Sequence, residues 1–469
     1  MAYLALFIVG FLSVSALDMD GVHQATGVKV GEVSATSAIV WVRLTGNSFR
    51  NADGPDYRGR GHVTVPEDVG VDTLEGECPG MQGRVRLWYG LSNDLGAGTT
   101  TDWVDVNEKH DFTHQFHLED LRPGSTYSYA VETKVTDGTP EPRALRGGFQ
   151  TAPPPDERGG VTFAVITGQA YVDLDHAEGF HIYESMAQLE PNFLVATGDT
   201  VYYDSEDPMA TTVPVARYHW HRMYSLPRHV AFHLSVPGYW IKDDHDTVVN
   251  DCWPGQDVPR MLPMTFADGQ KVFREQVPMG EKTYRTYRWG KALQIWLVEG
   301  RDFRSPNTMK DGPEKTIWGE EQKQWLKDSL LESDADWRVL ISATPIVGPD
   351  RKNKADNHAN AAFAHEGNEF RQWVQENVPA NFFVVCGDRH WQYHSVHPET
   401  GVHEFSCGPA SDQHAAGTPG ENPKYHRFHR VKGGFLSVAV NPHEPKSSIA
   451  FRFHDVHGEI VYEFAKETE

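Results

Sequence analysis

The sequence predicts an N-terminal β-sandwich followed by a layered α/β domain, and three observations predict it. Short β-rich runs separated by turn residues fill roughly the first third of the chain. The segment Thr151-Ala-Pro-Pro-Pro-Asp156 then interrupts the pattern, because consecutive prolines favour extended geometry and cannot continue a sheet. Beyond it, buried-type strands alternate with helical stretches, which is the pattern of helices laid on sheet faces.

In the first region, Val28–Arg43 holds two β-rich runs joined by a polar turn, and Val85-Arg-Leu-Trp-Tyr89 alternates with period two. His114–His117 and Leu121-Arg-Pro-Gly-Ser-Thr-Tyr-Ser-Tyr-Ala-Val131 read as a strand, a Pro-Gly turn and a strand. The Leu-Arg-Pro-Gly-Ser-Thr-Tyr turn resembles that before a late strand of fibronectin type III-like sandwiches. Gly46 to Gly83, rich in Gly and Asp, reads as a long loop. The predicted sandwich spans 18–152 and the predicted catalytic domain 160–469. In the latter, buried strands are expected at Val161–Ile166, Phe193–Ala196, Gly238–Ile241, Leu293–Val298, Trp337–Ser342 and Phe382–Cys386. Helices are expected over Gly179–Leu189, Glu320–Leu331 and Glu366–Gln375, and the C-terminal strands from Phe435 onward as a second sheet.

Composition narrows the function classes. A chain of 469 residues with 39% hydrophobic and 23% charged residues buries a sizeable core without a disulfide framework. Its four cysteines, Cys78, Cys252, Cys386 and Cys407, fit no zinc-binding spacing. Disulfides and buried thiols both remain open, with Cys386 and Cys407 as neighbours at strand ends. A net charge of −22 disfavours nucleic-acid binding, which rests on basic residues neutralising phosphates. Tyr3–Leu12, followed by Ser13-Val-Ser-Ala16, reads as a signal peptide over 1–17, too short to span a bilayer. A periplasmic or secreted protein with no transmembrane segment is the expectation. The sequence is silent on oligomeric state.

Ligands in layered α/β folds gather beyond the carboxyl ends of strands. Four buried strands are followed there by chemistry-bearing groups: Gly198-Asp199 with Tyr202, then Asp243-Asp-His-Asp246, then Glu299-Gly-Arg-Asp-Phe-Arg304, then Gly387-Asp-Arg-His390. Each turn alone is weak. Together they demand a cation, because clustered carboxylates repel unless neutralised. Carboxylate, imidazole and phenolate ligands suit hard and borderline metals. Paired metals activate a water as hydroxide and clamp phosphoryl oxygens, to which arginine adds bidentate contacts. The set points to metal-assisted hydrolysis of an anionic ester, most simply a small phosphorylated substrate.

The ordered motifs resemble the alkaline phosphatase D (PhoD-like) branch of the calcineurin-like metallophosphoesterases over nearly the whole chain, and the Gly-Asp-x-x-Tyr spacing also resembles purple acid phosphatases. The resemblance implies a four-layer α/β/β/α catalytic domain and a binuclear site holding two or more ions, Ca2+ and Fe3+ first, with Mn2+ or Zn2+ as alternatives. It implies that Asp199 bridges the metals, that Tyr202 binds one of them, and that Asp244, Asp388 and His390 supply further ligands. His245 is implied as general acid or phosphate-binding group, and one of Arg301 and Arg304 as a substrate contact. Asp243 and Asp246 are expected to support the ligands rather than bind.

One departure bears on the metals. The family carries Ser-Cys-Gln after the first catalytic strand, where the cysteine binds iron. Here the stretch is Thr167-Gly-Gln169, so Gly168 offers no side chain, and Asp173 or Asp175 is a substitute to consider. The competing readings are a hydrolase of another anionic ester, such as a sulfate, or a non-catalytic surface- or carbohydrate-binding protein with a decayed site. Trp391 and Trp253 are expected at pocket walls, His394 as a supporting group, and the other clustered histidines as solvated or structural.

Overall fold

The computed structural model of the protein describes residues 21–92, 94–140, 144–443 and 446–468. The expected leader, 1–17, lies outside the described residues.

The architecture is an N-terminal sandwich joined edge to edge to a four-layer α/β/β/α body. One sheet has nine strands, in the spatial order Ile460–Glu467, Lys446–His454, Phe435–His443, Val161–Ile166, Phe193–Ala196, Gly238–Trp240, Val28–Gly31, Ala38–Arg43 and Thr113–Leu118. The second has seven: Arg285–Trp289, Leu293–Leu297, Trp337–Ser342, Phe382–Cys386, His403–Cys407, Gln392–Val396 and His426–Arg430. The C-terminal strands were expected to form the second sheet. They extend the first instead, because Phe435–His443 pairs antiparallel with Val161–Ile166.

The all-apolar strands are explained by their two buried faces. In Phe193–Ala196, Phe193 and Val195 point into the core between the sheets, with Ile295, Leu297, Val339 and Ile341. Leu194 and Ala196 point the other way, into the helices. Those helices are α1 (His181–Ala187), α2 (Val213–Tyr224), α3 (Pro227–His233) and α4 (Phe266–Gln276). On the outside of the second sheet, α5 (Gly319–Glu332) and α6 (Ala364–Asn377) bury Leu326, Leu330, Phe370 and Val374 against Trp296, Leu340 and Val384. Phe405 and Phe451 stack across the two sheets, with centroids 4.0 Å apart.

The sandwich forms as expected from two facing sheets. Val28–Gly31, Ala38–Arg43 and Thr113–Leu118 face Gly83–Leu91, Thr126–Lys134, Leu145–Gln150 and a short edge. Tyr127, which opens a late strand, accepts a hydrogen bond from the Arg122 amide at 2.8 Å, a tyrosine corner at the predicted Pro-Gly turn. The sandwich is not a separate bead on a linker. Gly31 pairs in parallel with Gly238, so its first sheet continues the catalytic sheet. A Cβ on Gly31 would lie 2.6 Å from the Pro278 carbonyl oxygen, so the junction needs glycine. The long loop of residues 47–82 folds back onto the catalytic body, where Arg60 pairs with Asp173 and the Gly61 and Val63 amides donate to Asp207.

Candidate metal centre

The site lies where strands of both sheets end. Two Gly-Asp turns meet there, and each needs its glycine. A Cβ on Gly198 would sit 2.6 Å from Asp243 Cβ, and one on Gly387 would sit 2.6 Å from Thr197 Oγ1. The aspartates that follow have left-handed backbones, Asp199 at φ 52° and Asp388 at φ 60°. A non-glycine residue held there costs on the order of 1–3 kcal/mol and persists only where the surroundings impose it. Here it turns both carboxylates toward one cleft of about 410 Å³, lined among others by Asp199, His245, Arg351, Lys354, Asp388 and His390.

The carboxylates gather as metal-binding sets. Ligand atoms of Asp199, Asp244 and His245 lie within 4.8 Å of one another, as do those of Asp199, Asp243 and Asp388, and those of Asp244, Asp251 and Asp356. Asp199 and Asp243 each bury one oxygen without a hydrogen-bond partner, while the unbonded oxygens of Asp388 and Asp356 lie against Arg389 and Lys354. Burial, reinforced by the charge of Asp244, pushes Asp199 well above the usual carboxylate range. Burial likewise brings Asp243 up to about 7, against the pull of Arg301, and Asp246 up to about 6. Asp244 is buried too, but Arg301 and His245 hold it below that range. Bare oxygens on mutually repelling, desolvated carboxylates are what a cation stabilises. The residues present therefore fit bound metal.

Tyr202, Asp199 and His390 come together as expected. The Tyr202 hydroxyl is 3.4 Å from Asp199 Oδ2 and 3.3 Å from His390 Nε2, and His390 Nε2 is 3.7 Å from Asp199 Oδ2. Burial and Asp199 push the Tyr202 phenol well above its ordinary value, and burial with His414 and Arg389 pushes His390 well below its own. Asp244 is aimed by the amides of His245 and Asp251, at 2.8 and 2.6 Å. His245 faces the cleft, with Nδ1 2.5 Å from Asp204 Oδ1. Burial alone would lower its pKa, but Asp204 and Asp244 raise it well above the ordinary histidine value.

The other predicted residues fall elsewhere. Arg301 is fully buried, with Nε 2.6 Å from Asp243 Oδ1, and lies beneath the cleft beside Asp244 and Asp356. Arg304 is buried beside it and donates to the Asp356 carbonyl. Asp246 receives the amides of Asp243 and Thr200, tying two strand-end loops together. Trp391 lines the cleft. His394 is remote, bonded to Tyr462 and His403. Asp175 accepts from the His181 amide at the start of α1. His219, His221, His229 and His233 are buried structural groups rather than solvated ones. All four cysteines are buried free thiols.

Sequence reasoning missed Asp204, Asp251, Asp356 and His414. Asp204 directly follows Tyr203, and His414 lies just beyond the strand His403–Cys407, so the strand-end rule applied once more would have found both. His414 Nε2 is 2.8 Å from the Tyr202 hydroxyl, and its Nδ1 is 2.8 Å from Asp173 Oδ2.

Comparison with known proteins places the fold. Alkaline phosphatase D of Bacillus subtilis (strain 168) is 22% identical over 407 residues, covering 72% of this chain and 66% of that protein, so the chain spans just under two thirds of the curated relative's length. A solved structure of PhoD superposes with a TM-score of 0.72 at 16% identity, covering 97% of this chain and 92% of that one. The purple acid phosphatase PPD1 from yellow lupin (Lupinus luteus) seeds superposes with a TM-score of 0.62 at 13% identity, covering 93% and 73%. At these identities the superpositions establish the fold. The family profile of PhoD-like phosphatases matches residues 163–467, well over half the chain, and the protein belongs to the PhoD-like phosphatase family.

Proposed function

We propose that the protein is a metal-dependent phosphoesterase that hydrolyses small phosphate esters, monoesters or diesters. The observation that carries this is Asp199. Its left-handed turn places a carboxylate with a bare, buried oxygen between the Tyr202–His390 group and the Asp244–His245 group. Asp199 is read as the shared ligand of two ions, with Tyr202 and His390 on one side and Asp244 and Asp388 on the other. When bound, the ions supply Lewis-acid stabilisation of the phosphoryl oxygens and lower the pKa of an attacking water.

The chain's own residues do the rest. His245, held protonated by Asp204, donates a proton to the leaving oxygen. Arg351 and Lys354 on the cleft wall meet the anionic ester. Arg301 acts through Asp243 and Asp244, fixing the direction in which they point, rather than through the substrate. The expected export to the periplasm or medium belongs to the same proposal and rests on the N-terminal sequence. Among the described residues no helix is long and apolar enough to cross a membrane.

Turnover of p-nitrophenyl phosphate and bis-p-nitrophenyl phosphate, assayed with iron, manganese, zinc and calcium in turn, tests the reading. Activity abolished in Asp199→Asn supports it. No turnover with any metal, or faster turnover of the matching sulfate ester, overturns it.

A further inference from the structure

We propose that His414 is a ligand of the metal on the Tyr202 side, with Asp173 as its orienting partner. The inference deepens the metal-dependent reading and rests on it.

Three donor atoms surround the Tyr202 hydroxyl. The Tyr202 hydroxyl lies 2.8 Å from His414 Nε2, 3.3 Å from His390 Nε2 and 3.4 Å from Asp199 Oδ2. The two imidazoles pack with ring centroids 4.1 Å apart. Ligands held about 2.0–2.2 Å from one ion lie about 3–3.5 Å from each other; the His390 and Asp199 atoms stand at that spacing from the tyrosine oxygen, and the His414 nitrogen stands slightly closer. Asp199 is 1% exposed; its Oδ2 faces this group, and its Oδ1 is buried without a hydrogen-bond partner, so the carboxylate keeps bonding capacity that its neighbouring side chains do not use.

His414 is mounted as a ligand is. Its far nitrogen, Nδ1, faces Asp173 Oδ2 at 2.8 Å, and Arg60 of the folded-back loop grips the same carboxylate. A carboxylate on Nδ1 places the proton there, leaving the Nε2 lone pair free toward the cluster.

Gly168 makes room for this ring. It has φ +59°, and a Cβ there would lie 3.4 Å from His414 Cδ2 and 3.2 Å from Pro409 Cβ. A larger side chain at 168 would press on the imidazole. The bare position and the histidine are two halves of one arrangement, in which the ligand comes from the loop after His403–Cys407 rather than from the loop after Val161–Ile166. Asp173 thus acts through His414 and not as a direct replacement ligand.

The test is a titration of the metal-stripped full-length protein with cobalt(II), read by its visible absorption and by elemental analysis after dialysis. The wild type is expected to take up two equivalents. His414→Ala is expected to lose one, or to bind it about 100-fold more weakly, and Asp173→Asn to weaken it about 10-fold. His414→Gln keeps a side chain that can still bond the Tyr202 hydroxyl but is a poor ligand, so it should lose the same equivalent. Circular dichroism of the metal-free variants, expected to match wild type, separates ligation from a folding defect. His394→Ala, at a buried histidine remote from the cleft, should leave both equivalents in place. Retention of both equivalents at unchanged affinity in His414→Ala overturns the proposal, as does retention of both in His414→Gln. If the wild type binds no cobalt, the metal-dependent reading falls as well. If Asp199→Asn loses metal while His414→Ala keeps it, only the His414 assignment falls.

Discussion

His245 and Asp204 form the shortest polar contact that His245 makes, 2.5 Å from Nδ1 to Oδ1, and the contact is enclosed. Asp204 is itself fixed by the Asn250 amide at 3.1 Å and by Arg260 at 2.9 Å. This orients the imidazole so that its other edge faces the cleft as a proton donor. Removing a positioned general acid typically costs about 10²–10⁴ in rate. His245→Ala should therefore lower kcat by that order on an alkyl phosphate, whose leaving oxygen needs a proton. On p-nitrophenyl phosphate, whose leaving group departs as an anion, the loss should be far smaller. Asp204→Asn should show the same dependence on leaving group in weaker form. Equal losses on both substrates would remove His245 from the proton-donor role.

Burial and the charges of Asp244, Asp243 and Asp246 oppose the charge of Asp199, against the pull of His245. Neutralising it should relieve the metal-free protein. Metal-free Asp199→Asn should melt no lower than metal-free wild type, although the site is buried. Added metal stabilises a folded protein by about 2.7 kcal/mol at one hundred times Kd, so the wild-type Tm should rise on adding manganese or zinc. The Asn variant should lose most of that rise. Calorimetric scans with and without metal decide it, and an undiminished rise in the variant would remove Asp199 from the bridging position.

A second charged cluster, far from the cleft, ties the sandwich to the catalytic body. Asp111 of the sandwich receives Arg43 at 3.1 Å, His221 of α2 at 2.6 Å and Gln276 of α4 at 2.6 Å, while His221 Nδ1 meets Glu77 at 2.7 Å. Burial opposes the Asp111 charge, but Arg43 and His221 hold its pKa below the usual range. The stability it lends is present above the unfolded-state value, about 3.9, and is lost as pH falls through the folded value. His221 is the opposite case: burial and Arg43 lower its pKa, but Asp111 and Glu77 raise it overall. Its contribution is complete below about 6.5 and is lost as pH rises through the raised value. Thermal stability should therefore peak between about pH 4 and 6.5 as far as this cluster is concerned. Asp111→Asn should cost about 3–5 kcal/mol, because it strands buried cations. His221→Gln should flatten the alkaline decline of Tm. A decline as steep in that variant as in wild type would refute the assignment.

What the sequence made legible follows from what is local. Apolar runs such as Phe193–Ala196 and Phe382–Cys386, each ending in Gly-Asp, mark a strand and its terminal turn within a few residues, and both lie as expected. The Pro-Gly corner before Tyr127 was legible for the same reason. Sheet membership was not, since pairing of Phe435–His443 with Val161–Ile166 joins segments far apart in the chain and leaves no local mark. Helices α2 and α4 escaped because Val213–Tyr224 interleaves aromatic and basic residues and Phe266–Gln276 carries a glycine, so neither shows a clean apolar stripe. At the site, the strand-end rule marked the segments that hold Asp199, Asp244, His245, Asp388 and His390, and the family resemblance picked these residues within them. It placed Arg301 by motif but gave no depth for it, since burial under Asp243 depends on three loops at once.

Arg351 and Lys354 supply the cleft's positive charge toward solvent, on the loop that follows Trp337–Ser342. Lys354 is tied to Asp251 and lies 3.6 Å from Asp356, so part of its charge is spent on carboxylates. Arg351 is one-third exposed, at 34%, and among the described residues its side chain pairs with its neighbour Asp350 at 3.7 Å, a loose contact that leaves it able to turn to an incoming anion. A hydrogen bond to a charged partner contributes about 1.5–3 kcal/mol, and solvent holds this one near the lower end, about 10-fold. Arg351→Ala should raise KM for p-nitrophenyl phosphate by about that factor with little change in kcat, because the contact is present before and during reaction. The dianionic monoester should suffer more than the monoanionic diester, and added salt should narrow the gap. Steady-state kinetics on the two nitrophenyl esters at low and high ionic strength give the answer. A fall in kcat at constant KM would move Arg351 from binding the ester to stabilising its transition state.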